Sequence, residues 1–95
     1  MFIVIITFTK PLEIVDQYVQ QHRNYLDECY AKNYLVVSGP QNPRTGGILI
    51  SALSDRKIID QIIAEDPYFI HKIAEYQVIE FNPVKYHSNF KQFIN

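Results

Sequence analysis

The stretch Phe2-Ile3-Val4-Ile5-Ile6-Thr7-Phe8 limits the possible folds of this chain more than any other. Its β-branched and aromatic residues read as a strand. Alternation puts Phe2, Val4, Ile6 and Phe8 on one face and Ile3 and Ile5 on the other. A strand that is apolar on both faces must be covered on both faces. The chain has 95 residues, which is the length of one domain with a modest core. Small domains often gain stability by oligomerising. Both covers therefore have to come from few elements, or from a second copy.

The remaining elements follow from periodicity and from breakers. Thr9-Lys10-Pro11 opens a helix, since proline is tolerated in a first helical turn. Val15, Val19, His22, Leu26 and Cys29 then recur at intervals of four and three, laying one stripe along that helix. Tyr18, Tyr25 and Tyr30 widen the stripe, while Asp16, Gln17, Gln20, Arg23, Asn24 and Asp27 form the opposite, solvated face. Asn33 is the expected stop, because asparagine tolerates the left-handed conformation. Tyr34–Ser38 reads as a second strand and Ile48–Leu53 as a third, with a Gly/Pro-rich loop over 39–47 between them. A loop of that kind most simply makes the pair an antiparallel hairpin.

Ser54 or Asp55 caps a second helix, whose stripe is Ile58, Ile59, Ile62 and Ile63. Pro67 ends that helix at or before Asp66. Asp66-Pro67 can then start a short turn, with Asp66 as cap. Tyr76–Phe81 is the fourth strand, and residues 85–95 form a tail with the pattern of a short helix. The order strand, helix, strand, strand, helix, strand is the split βαβ or ferredoxin-like plan, an α+β fold. Right-handed crossovers place both helices on one face of a four-stranded antiparallel sheet. The other face stays bare and apolar, which predicts a homodimer with sheets packed face to face, as in a dimeric α+β barrel.

Composition excludes several functions. Nine basic residues against ten acidic ones, without a Lys/Arg cluster, argue against nucleic acid as a partner. The single cysteine, Cys29, cannot form an intrachain disulfide. Met1–Phe8 has no basic leader or small-residue cleavage site, so it does not read as a signal peptide. No run reaches the ~18 apolar residues needed to span a membrane. The expected protein is soluble and cytoplasmic, with no membrane partner.

His22, inside an apolar stripe, admits two readings: a core histidine with one hydrogen-bond partner, or a general acid or base that titrates near neutrality. Asp66 is either a helix cap or the carboxylate that fixes the imidazole tautomer, and one residue can do both. Tyr68 and Phe69 either pack or line a pocket beside Asp66, with the Tyr68 hydroxyl as a possible donor. Ser38-Gly39-Pro40 is either a strand-ending turn or a place where a ligand approaches the backbone, with Ser38 and the Gly39 N–H as donors. His22, His71, His87 and Cys29 lack the spacing of a known metal site, so no metal is expected. His71 is expected on the surface and Cys29 in the core.

In the order and spacing of these motifs the chain resembles the YciI-like family over nearly its whole length. The resemblance rests on a first strand starting at Met1, on His22 followed by Tyr25-Leu26, and on Ser38-Gly39-Pro40 after the second strand. Asp66-Pro67-Tyr68 after the second helix and a closing strand around Val78 complete it. It implies a dimeric α+β barrel with a His–Asp pair in a pocket, which maps onto His22 and Asp66. The family looks related to muconolactone isomerases and contains a dehydrochlorinase acting on a chlorinated hydroxyhydroquinone. Many members carry arginine three residues before the histidine. That position is Val19 here, which implies a less charged ligand, or none.

Two functions follow as expectations. The first is a cofactor-independent lyase or isomerase, in which His22 and Asp66 move a proton on a small cyclic or aromatic molecule and Ser38, Gly39 and Tyr68 contact it. The second is a non-catalytic metabolite-binding or accessory dimeric module. A haem- or quinol-oxidising monooxygenase on the same barrel is a third possibility that no residue requires.

Overall fold

The computed structural model describes residues 1–94. Residue 95, the end of the expected tail, lies outside the described residues. The chain runs β1 (Phe2–Phe8), α1 (Leu12–Val15), α2 (Val19–Ala31), β2 (Val37–Pro40), β3 (Gly46–Ser51), α3 (Arg56–Ala64), α4 (Pro67–Ile70) and β4 (Ala74–Glu80). A 3-10 helix, Ser88–Phe93, takes up most of the tail.

The sheet order is β2-β3-β1-β4, with every neighbouring pair antiparallel. This is the ferredoxin-like α+β plan. β1 is central and pairs with both β3 and β4, which is why it is the most apolar strand. Phe2, Val4 and Ile6 are buried at 0%, 2% and 1% exposure and join Val15, Leu26, Cys29, Ile59 and Ile62 in one core. The helices thus pack on a single sheet face. The opposite face carries two apolar rows, Val37–Ile50–Ile3–Ile79 and Ile48–Ile5, set by the strand register. Val37 is 52% exposed and Ile79 39%.

Helix ends follow local chemistry. Asp55 caps α3 by accepting the Lys57 N–H at 2.9 Å. Asn33, at φ 60°, closes α2 as expected. The Tyr34 and Asn33 amides bond back to Cys29 and Tyr30 carbonyls, which makes a Schellman motif. Lys72, at φ 57°, does the same for α4 without asparagine or glycine. Among the described residues no helix is long and apolar enough to cross a membrane.

The structure corrects the bounds of four expected elements. The first helix is not continuous. Gln17 and Tyr18 bond three residues back, to Ile14 and Val15, and this tightened turn separates α1 from α2. Pro11 is the cap of α1 and precedes its first helical residue. β2 starts at Val37, later than Tyr34, because Leu35 turns into the core at 8% exposure. β3 starts at Gly46, inside the expected loop, and ends at Ser51. β4 starts two residues early, at Ala74, and ends at Glu80.

Gly46 explains the shift in β3. It is buried beside β1, and a Cβ built there would lie 1.7 Å from the Ile6 carbonyl oxygen. The loop-like glycine pair is what lets β3 close on the central strand. Gly46→Ala should therefore lower stability by about 2–3 kcal/mol, read as a fall in the urea midpoint at unchanged slope.

Candidate active site

The site forms where α2, α4 and the β2–β3 hairpin meet. Asp66 is the cap of α4, with Pro67 at the first helical position, and its Oδ1 accepts the Tyr68 N–H at 3.0 Å. The same oxygen lies 2.8 Å from His22 Nδ1. Asp66 thus both caps the helix and holds the imidazole, as the residue pattern allows. In the structure one oxygen does both, and Asp66 Oδ2 is left buried without a partner. The Asp66 side chain is 1% exposed and that of His22 12%.

An oxygen that already accepts one N–H and carries the carboxylate charge is matched to a donating Nδ1–H. In its neutral form the ring is therefore the Nδ1–H tautomer, which leaves the Nε2 lone pair free. The ring is held on its face as well. Tyr68 stacks on it at a centroid distance of 4.0 Å and an interplanar angle of 9°. The Tyr68 ring in turn meets the edge of Phe8 at 5.5 Å.

A cavity of about 250 Å³ opens beside this stack. Ile6, Phe8, Val19, Leu26 and Leu49 contribute apolar lining. His22, Ser38 and Tyr68 contribute polar atoms, and Gly39 lines the wall with backbone. Four of the five residues singled out from the sequence thus border one space. Asp66 stands outside it and reaches it through His22. Ser38 Oγ lies 2.6 Å from the Tyr30 hydroxyl. With Tyr30 donating, the Ser38 proton is free for another acceptor.

Burial raises the Tyr68 hydroxyl above its ordinary value, and the nearby Arg44 and Arg23 charges offset part of that rise. Burial, followed by the Asp66 charge, raises the Tyr76 hydroxyl far above its ordinary range. Tyr76 Oη, like Asp66 Oδ2, is buried without a hydrogen-bond partner. Burial also pushes the Cys29 thiol up, away from the reactive thiolate. Cys29 is core at 3% exposure.

His71 stacks on Tyr18 at 4.1 Å and does not border the cavity. Phe69 is 47% exposed and also stays outside. Among the described residues no three His, Cys, Asp or Glu side chains cluster as metal ligands would.

Sequence reasoning missed Arg23, Arg44 and Tyr30. Arg23 sits on the polar side of the α2 stripe, one residue from His22, yet it borders the cavity. Arg44 comes from the β2–β3 connection, whose path periodicity does not specify. Tyr30 was legible as part of the stripe, but its contact with Ser38 was not.

The model of the YCII-related domain matches residues 1–82. No curated protein matches the chain. Among solved structures, the chain is similar to 5-chloro-2-hydroxyhydroquinone dehydrochlorinase (TftG) from Burkholderia phenoliruptrix AC1100, determined in complex with 2,5-dihydroxybenzoquinone. The two are 19% identical, the match covers 86% of this chain and 94% of that one, and the TM-score is 0.71. At that identity the likeness establishes a shared fold.

Removing the Asp66 carboxylate would orphan two donors at once. Asp66→Ala should cost about 1–3 kcal/mol in urea denaturation. Asp66→Asn keeps an acceptor for the Tyr68 N–H and should cost clearly less. Equal losses would mean that the cap contributes nothing.

Proposed function

The chain belongs to the YCII-related domain family, and from that premise we propose an enzyme acting on a small organic molecule, with His22 as its proton-transfer group. One observation carries the reading. His22 borders the cavity while its Nδ1 is tied to a buried carboxylate. That leaves Nε2 as the base of a ring held in place.

The reaction class that fits is elimination or isomerisation on a small cyclic or aromatic compound. Nε2 takes a proton from the substrate, and the electron pair left behind forms the new double bond. In an elimination an anion such as chloride departs, so that HX is lost overall. In an isomerisation His22 returns the proton at another atom. Asp66 stabilises the imidazolium that forms in between. Ser38 is the donor for negative charge developing on a substrate oxygen, because the Gly39 N–H is taken up by Ile48 in the β2–β3 ladder. Tyr68 holds the imidazole plane and lines the wall. This chemistry needs no cofactor or metal. The dehydrochlorinase activity of the structural neighbour supports elimination as the first reaction to test.

The second reading, a non-catalytic binding module, is favoured by the cap itself. Asp66 would serve the fold if its pairing with His22 only ties α2 to α4. Chloride release from a chlorinated hydroxyhydroquinone separates the two. Wild type should exceed His22→Ala by roughly a hundredfold or more, with the circular dichroism of the variant unchanged. A wild type without turnover, together with a His22→Ala variant that melts early, would sink the enzyme and support the module.

The proposed unit is a single domain over residues 1–95, with 85–95 as its tail, working as a homodimer. Support comes from the bare sheet face, whose apolar rows cross β3 and β1 and reach the exposed Val37 on β2 and Ile79 on β4. Light scattering should give a dimer or a multiple of it, and Ile5→Lys in the middle of the face should give a folded monomer. A monomeric wild type would remove the barrel from this proposal.

A further inference from the structure

The cavity has a charge character that the proton-transfer reading does not use. Two guanidinium groups border it, Arg23 from α2 and Arg44 from the β2–β3 connection, and no carboxylate does. Asp66 is engaged behind His22. Asp16, the other acid close by, is engaged by Arg44 at 2.6 Å, in a pair with both side chains substantially exposed. Arg23 has no ion-pair partner among the described residues. The chain as a whole carries a formal charge of -1, so a cavity rimmed by two arginines is not the by-product of a basic protein. Ile6, Phe8, Leu26 and Leu49 give the same cavity an apolar floor.

We propose that the cavity selects a small planar ring bearing an anionic group, a carboxylate or a phenolate, with Arg23 as the principal anion-binding residue and Arg44 as its partner. The inference rests on the small-molecule reading above and deepens it. The ring lies on the apolar floor within reach of His22, and the anionic group faces the rim. A guanidinium offers a planar fork of donors that matches two carboxylate oxygens. The Asp16–Arg44 pair is exposed and therefore weak, so an anion can share or replace Asp16 at little cost. Arg44 also lies 5.9 Å over the Phe8 ring, which keeps it above the floor.

The probes are para-hydroxybenzoate and its neutral near-isostere para-hydroxybenzamide, compared by isothermal titration near neutral pH. The acid should bind about tenfold or more tightly than the amide. Added salt should narrow that gap, because the rim is exposed. Arg23→Ala should remove most of the gap and Arg44→Ala part of it, with melting temperatures unchanged, since both side chains are exposed. Arg23→Lys should recover part of it. Equal binding of acid and amide, binding of neither, or a gap that survives Arg23→Ala overturns the anion assignment. His22→Ala keeps the two readings apart: it should abolish proton transfer while leaving the preference for the acid intact.

Discussion

A carboxylate with almost no access to water is the constraint on which the site depends. Moving an ionised group out of water costs several kcal/mol after relaxation, unless hydrogen bonds replace the lost hydration. Asp66 receives two, the Tyr68 N–H and the His22 ring, both on Oδ1. The first bond is available only because Pro67 starts α4 with a preset backbone angle and an amide that needs no partner. The second fixes the distance between α2 and α4. Other contacts follow from these two, since Tyr68 can stack on His22 only when the short helix begins where it does.

The ferredoxin-like plan sets where that constraint acts. α2 and α4 lie on one side of a sheet whose central strand, β1, buries Phe2, Val4 and Ile6 against them. Hydrogen bonds between elements keep the arrangement rigid. The Tyr25 hydroxyl donates to the Ile62 carbonyl at 2.7 Å, joining α2 to α3, and the Tyr30–Ser38 contact joins α2 to β2. Gly46 lets β3 approach β1 closely enough to wall the cavity. A rigid frame of this kind is what a base needs when a small displacement of the reacting groups would lose most of its effect.

Some of the site was legible in the residues and some was not. His22 stood out because an imidazole broke an otherwise apolar stripe, and Asp66 because Asp-Pro marks a helix start. Their pairing was an expectation that the fold places at 2.8 Å. The use of one Asp66 oxygen for both bonds was not legible, since periodicity specifies a face and not an orientation. Arg23 was read as solvated by the same face argument. That reading fails at a cavity rim, where a long side chain can be exposed and still line a pocket. The turn between α1 and α2 left no mark either, because Asp16-Gln17-Tyr18 contains neither glycine nor proline.

By itself the sequence determined the element order, the ferredoxin-like sheet, the two helix caps and the candidates His22, Asp66, Ser38, Gly39 and Tyr68. These are decided by local propensity, by alternation and by breakers, all of which act over a few residues. Only the tertiary structure decided that Asp66 stands behind His22 and outside the cavity, that Gly46 belongs to a strand, and that two arginines from distant segments share one rim. Such relations depend on distances between segments far apart in the chain. Those distances are set when layers pack, and no short-range pattern encodes them.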